Sequence, residues 1–369
     1  SVPEPHTLYQ QIHALQAGHS LWVDRLGARA PEAYCSIAGI WADAEQAEPV
    51  DVAGVPELIR EAVRDSVAHH MIADVPVGAF LSAGIDSGAL LGVMADHAGP
   101  GHTLNAITLA FEEFRRTPAD EAPLAALVAA HYGASHTVRT VGESEFHRDL
   151  PRILQAMDQP TIDGINTWFI SKAAKESGLK VAISGLGGDE LFGGYPSFQD
   201  VPRWVRAMWL PTRIPGLGAM MEQVQATFAP LFPRLNPKTA GMLRYGGRYP
   251  GSYLLRRGLY LPRELPSILG ADLAREGLRR LDPIRHIARQ LGERPPKRPF
   301  SIVASLEASL YMRNQLLRDT DWASMAHSLE VRTPLVDVQL LRRLARPLAT
   351  ARDARHKRLL AKSPIRPLP

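Results

Sequence analysis

The sequence has few of the features that mark secreted, membrane-spanning or metal-cluster proteins. Within its 369 residues a single cysteine, Cys35, excludes an intrachain disulfide and a multi-cysteine metal site, so a cytoplasmic protein is expected. No stretch approaches the ~18 consecutive apolar residues that a membrane helix needs, and no membrane association is predicted. The opening residues 1–6 lack the basic and apolar segments of a signal peptide.

Charge is nearly balanced over the whole chain but is unevenly distributed. The net charge is +4, yet residues 202–300 hold 18 Lys/Arg against 6 Asp/Glu. A basic stretch is typical of proteins that bind nucleic acid or acidic ligands, and equally of an ordinary solvated helical surface. Because the arginines are scattered and form no recognisable nucleic-acid motif, the sequence favours the solvated surface, and no nucleic-acid partner is expected.

Short apolar runs alternate with helically spaced segments over much of the chain, which predicts an α/β fold. The predicted core strands are residues 77–81, 104–111, 136–141 and 180–184. Predicted helices are residues 55–73, 87–98, 120–132, 143–157, 167–177, 301–327 and 336–345. Further short strands are predicted near 20–23 and 34–41, and no strand stands out after Tyr195. We therefore expect a parallel sheet of about five strands with flanking helices, followed by a largely helical C-terminal part.

The first predicted strand runs directly into Ser82-Ala83-Gly84-Ile85-Asp86-Ser87, and a predicted helix follows. We call residues 82–87 the first loop. Small residues allow a tight turn close to a phosphate, and a helix N-terminus offers free N–H groups. Asp86 suits such an anion site if a Mg²⁺ ion lies between it and the phosphates. Asp86 and Ser87 are also good helix caps, so capping is the alternative interpretation.

The fourth predicted strand ends in Ser184-Gly185-Leu186-Gly187-Gly188-Asp189-Glu190-Leu191-Phe192-Gly193-Gly194-Tyr195, which we call the second loop. Its many glycines are typical of a backbone that a ligand approaches closely. Because the carboxyl ends of parallel strands meet at one edge of a sheet, Asp189 and Asp86 are expected to face one crevice. Two aspartates there make a plausible Mg²⁺ site with room for phosphate oxygens.

Several stretches of the sequence together resemble a known family. The first loop resembles the S-G-G-x-D-S loop of ATP pyrophosphatases, which implies an adenine nucleotide alpha hydrolase-like (PP-loop) fold. The second loop is similar to the S-G-x-G-x-D-E-x-F-G-G-Y signature of the glutamine-hydrolysing asparagine synthetases. Residues 321–337 resemble that family's D-R-x-S-M-x-x-x-L-E-x-R-x-P-F-L-D block, and residues 3–7 and 16–19 resemble its link between the glutaminase and synthetase domains.

The resemblance implies roles for particular residues. Asp86 and Asp189 would bind Mg²⁺, and Lys357 would face the phosphates of ATP as a third catalytic residue, unless it is simply a surface lysine. Contacts with ATP are implied for Leu81, Ser82, Gly84, Asp86, Ser87, Leu109, Ser184 and Gly185. The acceptor side of the pocket would include Leu186, Glu330 and Arg332, although a structural Glu330–Arg332 ion pair is an equal alternative. ATP is expected in preference to GTP.

The chain also departs from the family pattern. Ala83 replaces a glycine of the first loop, and Leu186 stands where well-studied asparagine synthetases have a glutamate. Residues 158–163 lack the arginine that many members carry, which weakens the case for aspartate as acceptor. The family's terminal R-x-K-x-G-F element would lie beyond Pro369, and its glutaminase domain before Ser1. The chain is accordingly interpreted as a part of a longer protein.

These features predict a synthetase that adenylates a small-molecule carboxylate, aspartate by resemblance, and then amidates it with ammonia. A glutaminase domain or subunit would be needed for the use of glutamine, and a homodimer is left open. The alternatives are a β-lactam or lasso-peptide macrolactam synthetase, or an inactive nucleotide-binding partner subunit. The expected organisation is a lead-in over residues 1–52, an ATP-pyrophosphatase core over 53–200, and a helical extension over 201–369.

The chain by itself is expected to release no glutamate from glutamine. The family's glutaminase nucleophile is an N-terminal cysteine, whereas Cys35 lies in an apolar stretch and is expected to be buried and inert. Any amide synthesis should therefore respond to added ammonium, with weak turnover but intact nucleotide binding. A glutaminase assay on the wild type and on Cys35→Ala checks this, since glutamate release that Cys35→Ala abolishes would contradict it.

Overall fold

The computed structural model describes residues 2–48, 50–98, 103–161, 163–228, 238–351, 355 and 357–369. The strands are β1 (His19–Ser20), β2 (Val23–Asp24), β3 (Gly27–Ala28), β4 (Glu32–Ala33), β5 (Val77–Phe80), β6 (Asn105–Phe111), β7 (Ser135–Val141), β8 (Val181–Ile183) and β9 (Glu330–Arg332). No helix within the described ranges is both long and apolar enough to cross a membrane.

The helices follow in chain order. They are α1 (Ile37–Gln46), α2 (Val55–His70), α3 (Ile85–Ala98), α4 (Ala122–His131), α5 (Glu143–Ala156), α6 (Gly164–Glu176), α7 (Gly188–Phe192), α8 (Ser197–Met208), α9 (Leu217–Phe228), α10 (Lys238–Tyr245), α11 (Tyr249–Arg257), α12 (Leu265–Leu269), α13 (Ala271–Arg280), α14 (Pro283–Arg289), α15 (Pro299–Leu306), α16 (Arg318–Met325), α17 (Val338–Thr350) and α18 (Lys357–Ala361). A π-helical stretch, Glu307–Leu317, joins α15 to α16.

The central element is a five-stranded sheet in the order β7-β6-β5-β8-β9, and every neighbouring pair is parallel. The middle strands β5 and β8 consist of small and apolar residues, as expected for strands covered on both faces. The predicted parallel sheet with flanking helices and a helical C-terminal part is therefore confirmed.

Three local predictions were wrong. The sequence pattern did not reveal β9, because its three residues Glu-Val-Arg are too short and too polar to show alternation, and only pairing with β8 makes them a strand. Residues 34–41 were predicted as a strand, but α1 begins at Ile37 and buries Ala38, Trp41 and Ala42 at helical spacing. Cys35, expected to be buried, is partly exposed just before this helix.

The chain forms two compact units. The first comprises Ser1–Tyr34, Ala47–Gly194 and Met312–Pro369, and the second comprises Cys35–Gln46 and Tyr195–Tyr311. These limits differ from the expected domain boundaries because β9 and α18, which belong to the C-terminal third of the sequence, pair or pack with elements of the sheet unit.

In the first unit, two groups of helices flank the sheet. Helices α2, α3 and α4 pack in sequence, and α17 and α18 pack on α2 and α3. Helices α5 and α6 pack with α16 instead. The second group covers an aromatic core that includes Trp168, Phe169 and Trp322. At about 25 cal/mol per Å², side chains of this size contribute more to folding than any surface ion pair.

The last residues of the chain pack on α3, the helix that follows the first loop. A Cβ at Gly92 would lie 2.7 Å from Pro364 and from the Tyr132 hydroxyl, and one at Gly88 would lie 3.0 Å from Leu368. The Tyr132 hydroxyl donates to the Arg366 carbonyl over 3.1 Å. Burial raises the pKa of Tyr132 to about 12, so this donor stays protonated. Glycine at two successive turns of α3 therefore lets the C-terminal segment lie against the helix.

The described residues of the second unit form helices and their connections, and a buried ion pair lies among them. The Glu307 carboxylate is fully buried and accepts from the Arg257 Nε over 3.0 Å and from the Tyr253 hydroxyl over 3.1 Å. The guanidinium lies 3.7 Å from the centroid of the Tyr311 ring. A fully buried carboxylate needs several hydrogen-bond and ion-pair partners, because an unpaired buried charge is strongly destabilising.

The basic stretch 202–300 provides many ion pairs within the second unit. The pairs are Arg244–Glu222, Arg256–Asp200, Arg257–Glu307, Arg275–Asp272, Arg279–Glu276 and Arg280–Glu276. The last three lie within single turns of α13, where exposed pairs contribute only a few tenths of a kcal/mol each. These pairs fit the interpretation of a solvated helical surface.

A buried histidine in the first unit lies among cations. His327, which is 5% exposed, packs edge-on against the Trp168 ring at a centroid distance of 4.4 Å. Among the described residues, its Nε2 has no hydrogen-bond partner. Burial above all, together with the nearby Lys175, Arg152 and Lys172, lowers the pKa of His327 to about 4 against an opposing effect of Asp149. The imidazole is therefore neutral at physiological pH.

Replacing His327 with phenylalanine should make the fold less sensitive to acid. Between the ordinary pKa of 6.5 and the folded-state value of about 4, the unfolded chain binds more protons, so the free energy of unfolding falls as the pH falls. The slope is at most about 1.4 kcal/mol per pH unit. Urea denaturation near pH 7 and near pH 4.5 measures it, with the exposed His147→Phe as control. An unchanged pH dependence in His327→Phe would contradict the assignment.

Candidate active site

The sheet brings the two glycine-containing loops side by side. The first loop follows β5 and the second follows β8, and these strands are parallel neighbours in which Ala79 pairs with Ile183. A Cβ at Gly185 would lie 2.9 Å from the Ser87 nitrogen and 3.2 Å from the Asp86 Cβ. The backbone of the second loop thus touches the start of α3, which no larger residue would allow.

A lysine joins the two loops. The Lys357 Nζ lies 2.7 Å from the Asp86 Oδ2 and 2.5 Å from the Asp189 Oδ1. Lys357 begins α18, so the three charges come from three distant parts of the sequence. The structure therefore brings together the three residues that were predicted to be catalytic, and we call Asp86, Asp189 and Lys357 the charged cluster.

Burial and charge act against each other in this cluster. Burial raises the pKa of Asp86, and the attraction of Lys357 offsets only part of that effect. Burial lowers the pKa of Lys357, but Asp86 and Asp189 outweigh it and hold the pKa above its ordinary value. The ammonium is therefore firmly charged, whereas the Asp86 carboxylate is held in an environment that disfavours its charge and would gain from a further cation.

Glycines of the second loop make room for these side chains. A Cβ at Gly188 would lie 2.6 Å from the Asp86 Oδ2, and one at Gly194 would lie 2.7 Å from the Lys357 Cε and would also collide with the Asp189 carboxylate. Gly187 has a φ of +98°, which L-residues rarely adopt, and it is the residue that precedes α7. The glycine pattern is thus explained by the packing of the charged cluster.

The first loop is held in shape by its two serines. The Ser87 hydroxyl accepts from the Ser82 N–H over 3.1 Å and lies 2.9 Å from the Ser82 hydroxyl, which in turn accepts from the Gly84 N–H over 3.1 Å. The Ala83 N–H donates to a carboxylate oxygen of Glu121 over 3.4 Å. The serine hydroxyls therefore brace the turn, and a backbone N–H of this turn already faces an anionic group.

A hydrogen-bonded chain behind the first loop was not predicted. The Thr108 hydroxyl, which is 1% exposed, donates to the Leu81 carbonyl over 2.7 Å and so accepts from the His136 Nε2–H, also at 2.7 Å. Burial lowers the pKa of His136, in keeping with a neutral ring. The only signal in the sequence was a threonine within the apolar run 105–111, which is too common to interpret. These two hydrogen bonds fix the end of β5, from which the first loop begins.

The other nucleotide-binding candidates occupy the carboxyl ends of the strands. Leu81 is buried at the end of β5, and Leu109 on β6 packs against the aromatic core of the first unit. Leu109 can thus offer a nucleotide its backbone more readily than its side chain. The Ser184 N–H donates to the Arg332 carbonyl over 2.8 Å, which ties the second loop to β9.

Glu330 and Arg332 make structural contacts. The Arg332 Nε lies 2.7 Å from a Glu330 carboxylate oxygen, and its Nη1 donates to the carbonyls of His70 and Ile72 at the C-terminus of α2. Within the described ranges neither residue has a hydrogen bond or ion pair with the charged cluster. The contacts match the structural ion pair that was the alternative interpretation, so their place in an acceptor pocket stays a prediction. Leu186 is partly buried beside Gly185 and offers no charged group.

The charged cluster suits a magnesium ion that arrives with polyphosphate. The Asp86 Oδ1 is buried and, among the described residues, has no hydrogen-bond partner. Carboxylate oxygens are the ligands that Mg²⁺ prefers, and it is commonly held by one or two of them together with substrate phosphates. No group of three or more potential metal-binding side chains occurs in the described part of the chain. Asp86 and Asp189 therefore fit a site in which the protein and the phosphates of the substrate hold Mg²⁺ together.

Comparison with known proteins gives a consistent result. The model of the asparagine synthase family matches residues 58–366. A putative glutamine-hydrolysing asparagine synthetase of Mycobacterium bovis is 30% identical over 365 residues, which cover 96% of this chain and 51% of the relative. Asparagine synthetase 1 of Bacillus subtilis is 29% identical over 349 residues, covering 91% of this chain and 50% of the relative.

A shorter match links the chain to the amidase chyE of Penicillium rubens, which is 29% identical over 213 residues that cover 53% of this chain and 30% of the relative. The chain spans about half the length of the two longer matches. The similarity therefore concerns the part of those proteins that corresponds to the first and second units of this chain.

Substituting Gly188 with alanine should weaken ATP binding by about tenfold or more, because the new methyl group would displace the Asp86 carboxylate. Gly277→Ala is the matched control, since a Cβ there meets nothing within 4 Å on α13 and should stabilise the helix by about 0.5–1 kcal/mol. Calorimetric titration with Mg-ATP and thermal unfolding of both variants measure this. Equal ATP affinity in the two variants would show that Gly188 does not shape the site.

Proposed function

The chain belongs to the asparagine synthase family, and we propose on this basis that it joins a carboxylate to an amine at the expense of ATP, by way of an acyl-adenylate. The observation that supports this most directly is the cluster of Lys357, Asp86 and Asp189 at the carboxyl edge of a parallel sheet. This is the edge at which α/β sheets bind nucleotides. The family resemblance makes aspartate the first acceptor to be tested, with asparagine as the product.

In the first step a carboxylate oxygen of the acceptor forms a bond to the α-phosphorus of ATP, and the bond from that phosphorus to the bridging oxygen of pyrophosphate breaks. Negative charge builds up on the pyrophosphate. The Lys357 ammonium and the first-turn N–H groups of α3 can stabilise it, since both present positive charge to the same crevice. The braces on the first loop keep these donors in position before ATP binds.

Asp86 and Asp189 are the proposed Mg²⁺ ligands, and Lys357 keeps their two carboxylates side by side in the absence of other cations. When bound with ATP, Mg²⁺ supplies charge neutralisation for the pyrophosphate leaving group. The roles of the two kinds of cation are then complementary. The lysine is fixed in the protein, whereas the ion enters and leaves with the nucleotide.

In the second step the amine nitrogen forms a bond to the acyl carbon, the bond from that carbon to the AMP oxygen breaks, and the nitrogen releases one proton. Ammonia as amine gives a primary amide. We propose that a glutaminase domain or subunit supplies ammonia from glutamine in the intact protein, as the names of the similar asparagine synthetases suggest. We also propose a cytoplasmic location, on the basis of the single cysteine.

A second candidate is a synthetase that closes or joins amides in secondary metabolism, such as a β-lactam or lasso-peptide macrolactam synthetase. Two departures from the family pattern favour it: Leu186 stands where well-studied asparagine synthetases have a glutamate, and the segment 158–163 lacks the arginine associated with aspartate as acceptor. An inactive nucleotide-binding subunit is the third candidate. Pyrophosphate release with different acceptors separates the active candidates from the inactive one, and the identity of the best acceptor separates the first two.

Asp86→Asn and Asp189→Asn should each reduce Mg²⁺-dependent ATP–pyrophosphate exchange by about a hundredfold or more, since each removes a ligand for the ion that neutralises the leaving group. Lys357→Met should have a similar effect through the loss of the fixed charge. Glu61→Gln, on an exposed face of α2, is the control for a change of one charge. Circular dichroism monitors the fold, and exchange at the wild-type rate in a folded Asp86→Asn protein would overturn the assignment.

A further inference from the structure

A cleft of about 840 Å³ opens at the carboxyl ends of β6 and β7, beside the strands that carry the charged cluster. Its walls are aromatic: Phe111 ends β6, Phe114 follows it, and Phe146 lies on α5. The Phe111 and Phe114 rings meet edge to face at 6.1 Å between centroids, and Phe114 is 42% exposed. A large aromatic side chain exposed inside a concave site is typical of ligand pockets.

Four carboxylates line the same cleft, and the described residues that line it include no lysine, arginine or histidine. The acidic residues are Glu112, Glu113, Glu143 and Asp163. Glycine at position 142 helps to hold one of them in place, because a Cβ there would lie 2.6 Å from the Glu112 Oε2. The cleft is therefore negative, and its apolar walls reduce the screening of that charge by water.

Helix capping explains only part of this charge. Glu143 and Asp163 stand at the N-termini of α5 and α6, where negative charge is favourable in any protein. Glu112 and Glu113 lie instead in a short 3-10 turn, which has hardly any dipole. A site for an anionic acceptor would not combine these features.

We propose that this cleft binds a cationic group, an ammonium or a guanidinium, at the non-reacting end of the carboxylate substrate. Such cations are attracted both to carboxylates and to the faces of aromatic rings. A dicarboxylate such as aspartate would be repelled. The inference rests on the proposed function for the identity of the reacting group, and it changes the expected substrate class from a small acidic amino acid to a longer, basic one.

The arrangement of the sheet is compatible with one substrate that reaches both sites. β7 and β5 are separated by one strand, β6, so their carboxyl ends lie about 10 Å apart at the usual strand spacing. The side chain of an arginine or a lysine approaches this length. A cation held in the cleft would leave the carboxylate at the other end of the molecule to face the first loop.

The proposal can be tested on the full chain by calorimetric titration with L-arginine and with its uncharged analogue L-citrulline, and by the same comparison of L-lysine with L-norleucine. We expect each cationic ligand to bind about tenfold more tightly than its neutral analogue. Glu113→Gln and Phe114→Leu should each reduce this preference about threefold to fivefold. Glu61→Gln should leave it unchanged.

ATP–pyrophosphate exchange with the same ligands separates this proposal from the proposed function. Stimulation of exchange by a basic amino acid, and none by aspartate, would support both the cationic cleft and the adenylation of a carboxylate. Cation-selective binding that depends on Glu113, without any exchange, would support the cleft and count against the adenylation. Equal affinity for charged and neutral analogues, binding that Glu113→Gln leaves unchanged, or exchange that aspartate stimulates most would each overturn the cationic assignment.

Discussion

The candidate site depends on one ammonium group shared by two carboxylates. Without Lys357, Asp86 and Asp189 would repel each other across adjoining loops, and the burial of Asp86 would have no compensation. With it, the end of β5, the end of β8 and the start of α18 are held at one point. The same contact therefore maintains both the geometry of the site and the connection of the C-terminal segment to the sheet.

The rest of the sheet unit is arranged so that this contact can form. Parallel pairing of β5 with β8 places the two loops at one edge, and glycine at positions 185, 188 and 194 removes the side chains that would keep them apart. The chain from His136 through Thr108 to the Leu81 carbonyl fixes the strand end beneath the first loop. Packing, hydrogen bonding and charge thus restrict the same few residues, so the site is formed before any ligand arrives.

The predictions from the sequence succeeded where a local pattern carries the information. Apolar strands followed by glycine-containing loops identified the sheet and the neighbouring positions of Asp86 and Asp189. Lys357 came from the family resemblance, and the roles of the three residues stay predictions. Interactions between distant segments were not accessible: β9 is a strand only because β8 lies beside it, and the Thr108–His136 bond joins two strands whose register no local pattern reports. The acidic cleft escaped for the same reason, since its carboxylates come from three separate segments.

The packing of the C-terminal segment on α3 affects how the protein is made. The Ile365 N–H bonds the Asp96 carboxylate across 269 residues of sequence. At a synthesis rate of about 5–20 residues per second, the covering segment follows α3 after roughly 15 to 50 seconds. During that interval the face of α3 that carries Gly88 and Gly92 is left without the C-terminal segment that covers it in the folded protein.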